Sequence, residues 1–323
     1  MNKPILIVSG EPYSIFNEIF FKSINNKKIK KLKRSIILIG SLDLLLKQMN
    51  KMNFAYKINV LQKDKIKFNE LSKKKINLIN VDFKFDKTFD KVSNKSSSYI
   101  AKCFAIALSL LKKKNYAGLI NGPISKKHFL EKKFLGITEY LASKTMQKNN
   151  VAMLIYNKKL SVSPVTTHLA LKDVHKHLSK NKIITQVKLI KKFYKTHFKK
   201  DANIAITGLN PHCESNFESS EEKNIILPAI KHLIKNKIKI NGPFAADTLF
   251  MKNESKKYDV IIGMYHDQVL TPAKALFGFD AINITLGLPF IRISPDHGTN
   301  EKMLGKKKSN PKSLIEAFKF LDK

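Results

Sequence analysis

Short, predominantly apolar runs recur along this chain at intervals long enough to hold a helix, and no other feature restricts its fold as much. "PILIVSG" (4–10), "SIILIG" (35–40), "YAGLING" (116–122), "AMLIY" (152–156), "ANIAITGLN" (202–210), "DVIIGMYH" (259–266) and "AINITLGLP" (281–289) are such runs. A strand that is apolar at successive positions, not alternate ones, has both faces covered, the condition of a parallel sheet between helix layers. Helical spacing fills the intervals in "SIFNEIFFKSI" (14–24), "SLDLLLKQM" (41–49) with Ser41 placed to cap it, and the Ser-started segment 96–113. It returns at 173–198, 219–236 and 311–322, whereas 56–92 is a texture of small polar, Lys-rich pieces read as short strands and connections. The alternation predicts an α/β architecture, mostly parallel, in which ligands collect beyond the carboxyl ends of strands.

Composition enters through length and charge. A chain of 323 residues can bury a sizeable core and divides more naturally into two lobes than one. The formal net charge of +35 is the kind of field that attracts phosphates. Almost all of it is lysine, spread along the chain, and arginine occurs only at Arg34 and Arg292. Nucleic-acid surfaces recruit arginine forks and exposed aromatics as well, so the excess reads as solvated surface. Cys103 and Cys213 are far apart and form no CxxC pair, which fits a reducing cytoplasm and neither a disulfide framework nor a zinc knuckle. The apolar run at the start is too short for a signal-peptide core, and no stretch approaches a membrane span.

Three histidines fall in one topological position. His168 ends "SVSPVTTH", His212 follows "ANIAITGLNP" and His266 follows "DVIIGMY", each within a few residues of a strand's carboxyl end. Imidazoles converging from separate strands can hold a transition-type ion and leave coordination positions open. Structural hydrogen bonding is the competing reading, and spacing alone leaves both open. A second constellation is cationic and polar: Lys274, Asn283 and Arg292, interleaved with Gly287, Pro289, Pro295 and Gly298. A phosphate or carboxylate suits Lys274 as a point charge and Arg292 as a fork. The turn "NGPISKKH" (121–128) adds Ser125 and Lys126 at a helix start. Neither GxGxxG nor GxxxxGK[ST] is present.

"NGPISK", "TEYLA", "VTTHLAL", "GLNPH", "GPFAADTLF", "YDVIIGMYHDQVLTPAKAL" and "NITLGLPFIRISPDHGTN" resemble, in order, the motifs of the 4-hydroxythreonine-4-phosphate dehydrogenase family of vitamin B6 biosynthesis. The match is dense from about residue 119 to 300 and thin before residue 100. The resemblance implies two α/β/α domains with a cleft between them, like isocitrate and isopropylmalate dehydrogenases. Residues 1–125 plus 285–323 would form the first domain. Residues 126–284 would form the second, carrying the histidines and the interface of a homodimer with its active sites between subunits. It further implies a divalent ion (Zn, Mg, Co or Mn) on His168, His212 and His266, and substrate contacts from position 137, Thr138, Lys274, Asn283 and Arg292. The implied chemistry is oxidation of 4-phosphooxy-L-threonine by NAD or NADP, then decarboxylation to 3-amino-2-oxopropyl phosphate. Asp247 and Asp267 are candidates for orienting imidazoles or relaying a proton, with capping the competing role for each.

Three departures stand out. Ile137 replaces the family's usual substrate-contacting His; the first loop, usually Gly-rich, reads "GEPYSIFNE" with Tyr13 and Phe16; and "CES" (213–215) replaces "AGE". Besides the leading reading, two others follow: a sister dehydrogenase of another phosphorylated hydroxy acid, which Ile137 would suit, and a basic nucleic-acid-binding protein, motivated by charge alone. Under the leading reading Ile137→His should leave turnover of 4-phosphooxythreonine similar or raise it, since the returned neutral hydrogen bond is worth about 0.5–1.5 kcal/mol. Steady-state kinetics check this. A variant that gains such turnover from an inactive parent would reassign the substrate.

Overall fold

The computed structural model describes residues 2–130, 133–147, 150–213, 219–278, 280–295 and 297–323. Glu214 and Ser215 of the departure noted above, and Asp296, lie outside these. The strands are β1 (Ile5–Val8), β2 (Ile36–Gly40), β3 (Ile58–Val60), β4 (Ile76–Asn80), β5 (Gly118–Asn121), β6 (Ala152–Tyr156), β7 (Ser161–Pro164), β8 (Ile204–Thr207), β9 (Asn241–Phe244), β10 (Val260–Gly263), β11 (Ile282–Leu286) and β12 (Arg292–Pro295). The chain forms two compact units, Met1–Ile137 with Pro289–Lys323, and Thr138–Leu288.

In the first unit the strand order is β3-β4-β2-β1-β5-β12, and every pair is parallel. The apolar runs explain it: all four residues of β1 are fully buried, as the covered centre of a parallel sheet requires. The helix Ser97–Leu111 packs on β1 and β2, and the helix Lys312–Leu321 packs on β12 and on the helix Phe16–Asn25. Ser41 caps the helix Leu42–Lys51 as its sequence predicts, its Oγ accepting the Leu44 N–H at 3.4 Å. In the second unit the order is β11-β6-β7-β10-β8-β9. β10 lies parallel between β7 and β8, while β6 runs antiparallel to both its neighbours.

Two strands escape the sequence reading. β9, "NGPF", contains Gly and Pro and no apolar run, and β12, "RISP", sits among the turn formers of 287–298. Both form because a neighbour's free edge supplies the ladder: β12 takes register with β5 through Arg292 opposite Leu119. Segment 173–198, expected as one helix, is two, Val174–His177 and Lys180–Phe198, separated where Ser179 turns extended and caps Lys182.

The first loop is part of the core. Tyr13 and Phe16 are buried, as are Glu11, Asn17 and Glu18. Gly10, at φ +77°, lets the loop press against the turn after β5: a Cβ there would lie 2.4 Å from the Pro123 carbonyl. Glu11 donates its N–H to that carbonyl at 2.8 Å. Its side chain accepts from Ser96 Oγ at 2.9 Å, and Oε1 has no partner among the described residues. Burial pushes this carboxyl up from 4.5 to about 7, against the lowering pull of Ser96. The fold therefore prefers the neutral acid. Its contribution is fully present below the unfolded value of 4.5 and is lost as pH rises through about 7. Glu11→Gln should stabilise the protein at about pH 8 by up to about 3 kcal/mol and leave it unchanged at about pH 4. Urea unfolding of both proteins across that range gives the comparison; parallel stability curves would show that Glu11 does not titrate in the fold.

Candidate metal and anion site

The second unit brings the three histidines to one edge of its sheet. β7, β10 and β8 are adjacent and parallel, and His168, His266 and His212 follow their respective carboxyl ends. The ladder continues past β7 and β10: Val165 donates to the Gly263 carbonyl at 2.8 Å and Thr166 to that of Met264 through both N–H and Oγ1. This zipping sets the rings of His168 and His266 5.9 Å apart. His266 begins the helix His266–Phe277, with Asp267 Oδ1 2.6 Å from its Nδ1. Such a bond leaves Nε2 as the lone-pair nitrogen.

His212 arrives differently. It sits in the turn Pro211–Cys213 with φ +57°, a left-handed conformation held by tertiary contacts. Buried Glu222 accepts the N–H groups of Leu209 and Asn210 at 2.8 and 2.9 Å and the Asn210 side-chain amide at 2.9 Å. Although burial raises its pKa, these donors together outweigh that and leave it lowered. Among the described residues no three His, Cys, Asp or Glu side chains are gathered closely enough to hold a metal ion.

Gln268 ties the two halves of this edge. Its Oε1 accepts from Met264 N–H at 2.7 Å and Thr207 Oγ1 at 2.9 Å, while Nε2 donates to the Gly208 carbonyl at 2.8 Å. One carboxamide thus spans the ends of β8 and β10. Sequence reasoning missed both Gln268 and Glu222. Their polar side chains beside buried strand ends were the available signal.

The remaining candidates separate into groups. Thr138 is buried, with Oγ1 3.3 Å from Thr285 Oγ1. Asn283, two residues from Thr285 and so on the same face of β11, has a buried Oδ1 without a partner among the described residues. Lys274 is exposed, about 12 Å along the helix from His266 at 1.5 Å per residue. Asp247 is exposed and accepts the Thr248 N–H at 2.8 Å within the short helix Ala246–Leu249; the Cys213 thiol beside His212 is raised chiefly by burial, with Glu222 and Asp247 adding to it. Ile137 is half-buried at the start of the helix Ile137–Lys144. Arg292 belongs to the first unit, where it is fully buried and its Nε donates to Asn121 Oδ1 at 2.7 Å.

The donor set suits a divalent ion. Two imidazoles are adjacent, one has a carboxylate beside its Nδ1, and a third follows the next strand; by donor type these are residues that a divalent ion would accept as ligands. The β1/β5 crevice, where the strand order of the first unit reverses, does not suit a dinucleotide pyrophosphate. There the Glu11 and Gly122 N–H groups are taken by the Pro123 and Val8 carbonyls.

This is the fold of the isocitrate dehydrogenase class: the chain superposes on isocitrate dehydrogenase from Methylococcus capsulatus with TM-score 0.51 at 8% identity, covering 98% of this chain and 84% of that one. Residues 32–321 match the family model described as pyridoxal phosphate biosynthetic protein PdxA, and the chain belongs to this family. It is 39% identical to a 4-hydroxythreonine-4-phosphate dehydrogenase of Sulfurihydrogenibium sp. over 97% of this chain and 95% of the relative. It is 30% identical to an Oceanobacillus iheyensis protein named for D-threonate 4-phosphate dehydrogenase activity, over 98% and 96%. The crystal structure of 4-hydroxythreonine-4-phosphate dehydrogenase from Klebsiella pneumoniae gives TM-score 0.85 at 26% identity, covering 99% of this chain and 98% of that one.

Gln268→Met keeps the length of the side chain and deletes the bridge. It should cost about 1–3 kcal/mol in urea unfolding, the range for stranding a buried polar group. Unchanged stability would mean that the two strand ends hold their places without it.

Proposed function

We propose that this protein is a 4-hydroxythreonine-4-phosphate dehydrogenase of pyridoxine 5'-phosphate synthesis. It would oxidise the secondary alcohol of 4-phosphooxy-L-threonine with NAD or NADP and release carbon dioxide and 3-amino-2-oxopropyl phosphate. The observation that carries this reading is the set of histidines at the ends of three adjacent parallel strands in a chain whose relatives of that name align along nearly its whole length.

His168, His212 and His266 would hold a divalent ion, drawn from Zn, Mg, Co and Mn. Once bound, it would lower the pKa of the substrate hydroxyl and offset negative charge on the same oxygen during loss of carbon dioxide. Asp267, its Oδ1 2.6 Å from His266 Nδ1, would orient that ring and leave Nε2 to the ion. Lys274 and Arg292 are assigned to the substrate's anionic groups, Asn283 and Thr138 to its polar ones. Arg292 suits the work of a fixed fork because Asn121 already orients it. No residue is assigned to the nicotinamide cofactor. The enzyme would work as a cytoplasmic homodimer with its sites at the subunit interface. No described helix is long and apolar enough to cross a membrane.

A second reading has an observation of its own. Half-buried Ile137 stands where the family usually has His, and one relative is named for D-threonate 4-phosphate. Production of reduced nicotinamide with 4-phosphooxythreonine against D-threonate 4-phosphate separates the two. His212→Ala should abolish turnover and weaken binding of Co(II), followed by its visible absorption, at least about tenfold. Full metal binding and turnover in the folded variant would remove His212 from the site.

A further inference from the structure

We infer that the first unit carries a second ligand site, built for a small aromatic phosphomonoester, in a cavity at the amino-terminal ends of β2 and β4. The cavity encloses about 490 Å³ and is lined by residues between 20 and 77. That volume falls within the range of about 300–1,000 Å³ in which small-molecule sites occur. None of its lining residues belongs to the candidate site described above.

Its wall has two chemistries. Phe20, Ile29 and Tyr56 supply an apolar floor, and Lys30, Arg34 and the run Lys73–Lys75 supply cations, with no Asp or Glu in the lining. Tyr56 is already placed: its hydroxyl donates to the Phe21 carbonyl at 3.1 Å and its ring stacks on Phe21 at 5.9 Å. A bound ring meets a surface that needs no reordering. The lysine turn is fixed too, because Ser72 Oγ accepts the N–H groups of Lys74 and Lys75 at 3.2 and 2.9 Å.

Arg34 gives the anion its anchor. Asp322 accepts its backbone N–H at 2.9 Å and Nη1 donates to the Lys3 carbonyl at 3.1 Å, while Nε is buried without a partner among the described residues. With Nη2 also 3.5 Å from the Lys323 carbonyl, the guanidinium is a positive charge fixed in the cavity wall, to which an oxyanion is attracted. Lys30, Lys73, Lys74 and Lys75 are exposed around the recess, and a phosphate dianion is attracted to such a group of cations more than a single carboxylate is.

The test uses 1-naphthyl phosphate, whose fluorescence can be followed without indole emission because the chain contains no tryptophan. Saturable binding of one equivalent per chain is expected, tighter than that of 1-naphthoate. Ile24→Phe, which adds bulk to the cavity lining, should weaken binding at least about tenfold, as should the rim variant Lys73→Gln/Lys75→Gln. Arg34→Gln should do the same, with circular dichroism showing that each variant is folded. Absent saturable binding, or one affinity shared by the parent and all folded variants, would overturn the site and leave only attraction to a lysine-rich surface.

Discussion

The second unit depends on the hydrogen bonding of β10 along both its edges. Ile261 lies opposite Val162 of β7 on one side and Ala205 of β8 on the other, and all three are fully buried. A slip of two residues would carry a strand end about 7 Å along the sheet. The same slip would pull apolar side chains out of a core in which each buried Val or Ile contributes roughly 1.5–3 kcal/mol. Packing therefore fixes register, and register fixes where His168 and His266 meet.

What the sequence discloses and what it hides divide along physical lines. Strands made of continuous apolar runs were legible, as were the Ser41 cap and the delivery of three histidines to strand ends, because each is a local pattern. The strands β9 and β12 were hidden, since Gly and Pro mask them and only a neighbour's edge makes them strands. The partnership of Arg292 with Asn121 joins residues 171 positions apart, and no local pattern carries it. Gln268 lay in plain view two residues beyond His266. Its role appears only when Thr207 and Gly208 are brought beside it.

The two arginines make a related point about the choice of cation. Lysine covers a surface where a flexible, hydrated charge suffices. Arg34 and Arg292 instead occupy positions where the guanidinium is held by specific oxygens, Lys3 O in one case and Asn121 Oδ1 in the other. A chain this rich in lysine thus reserves its planar cations for places where direction matters. Net charge, the most conspicuous number in the sequence, says less about recognition than these two exceptions do.

The left-handed backbone at His212 has a further consequence. A side-chain-bearing residue held there sacrifices about 1–2 kcal/mol that glycine would keep. The turn would be more comfortable without its imidazole. Selection for stability alone would erode this position toward glycine, so persistence of His212 among close descendants of this chain would record a demand that folding does not make.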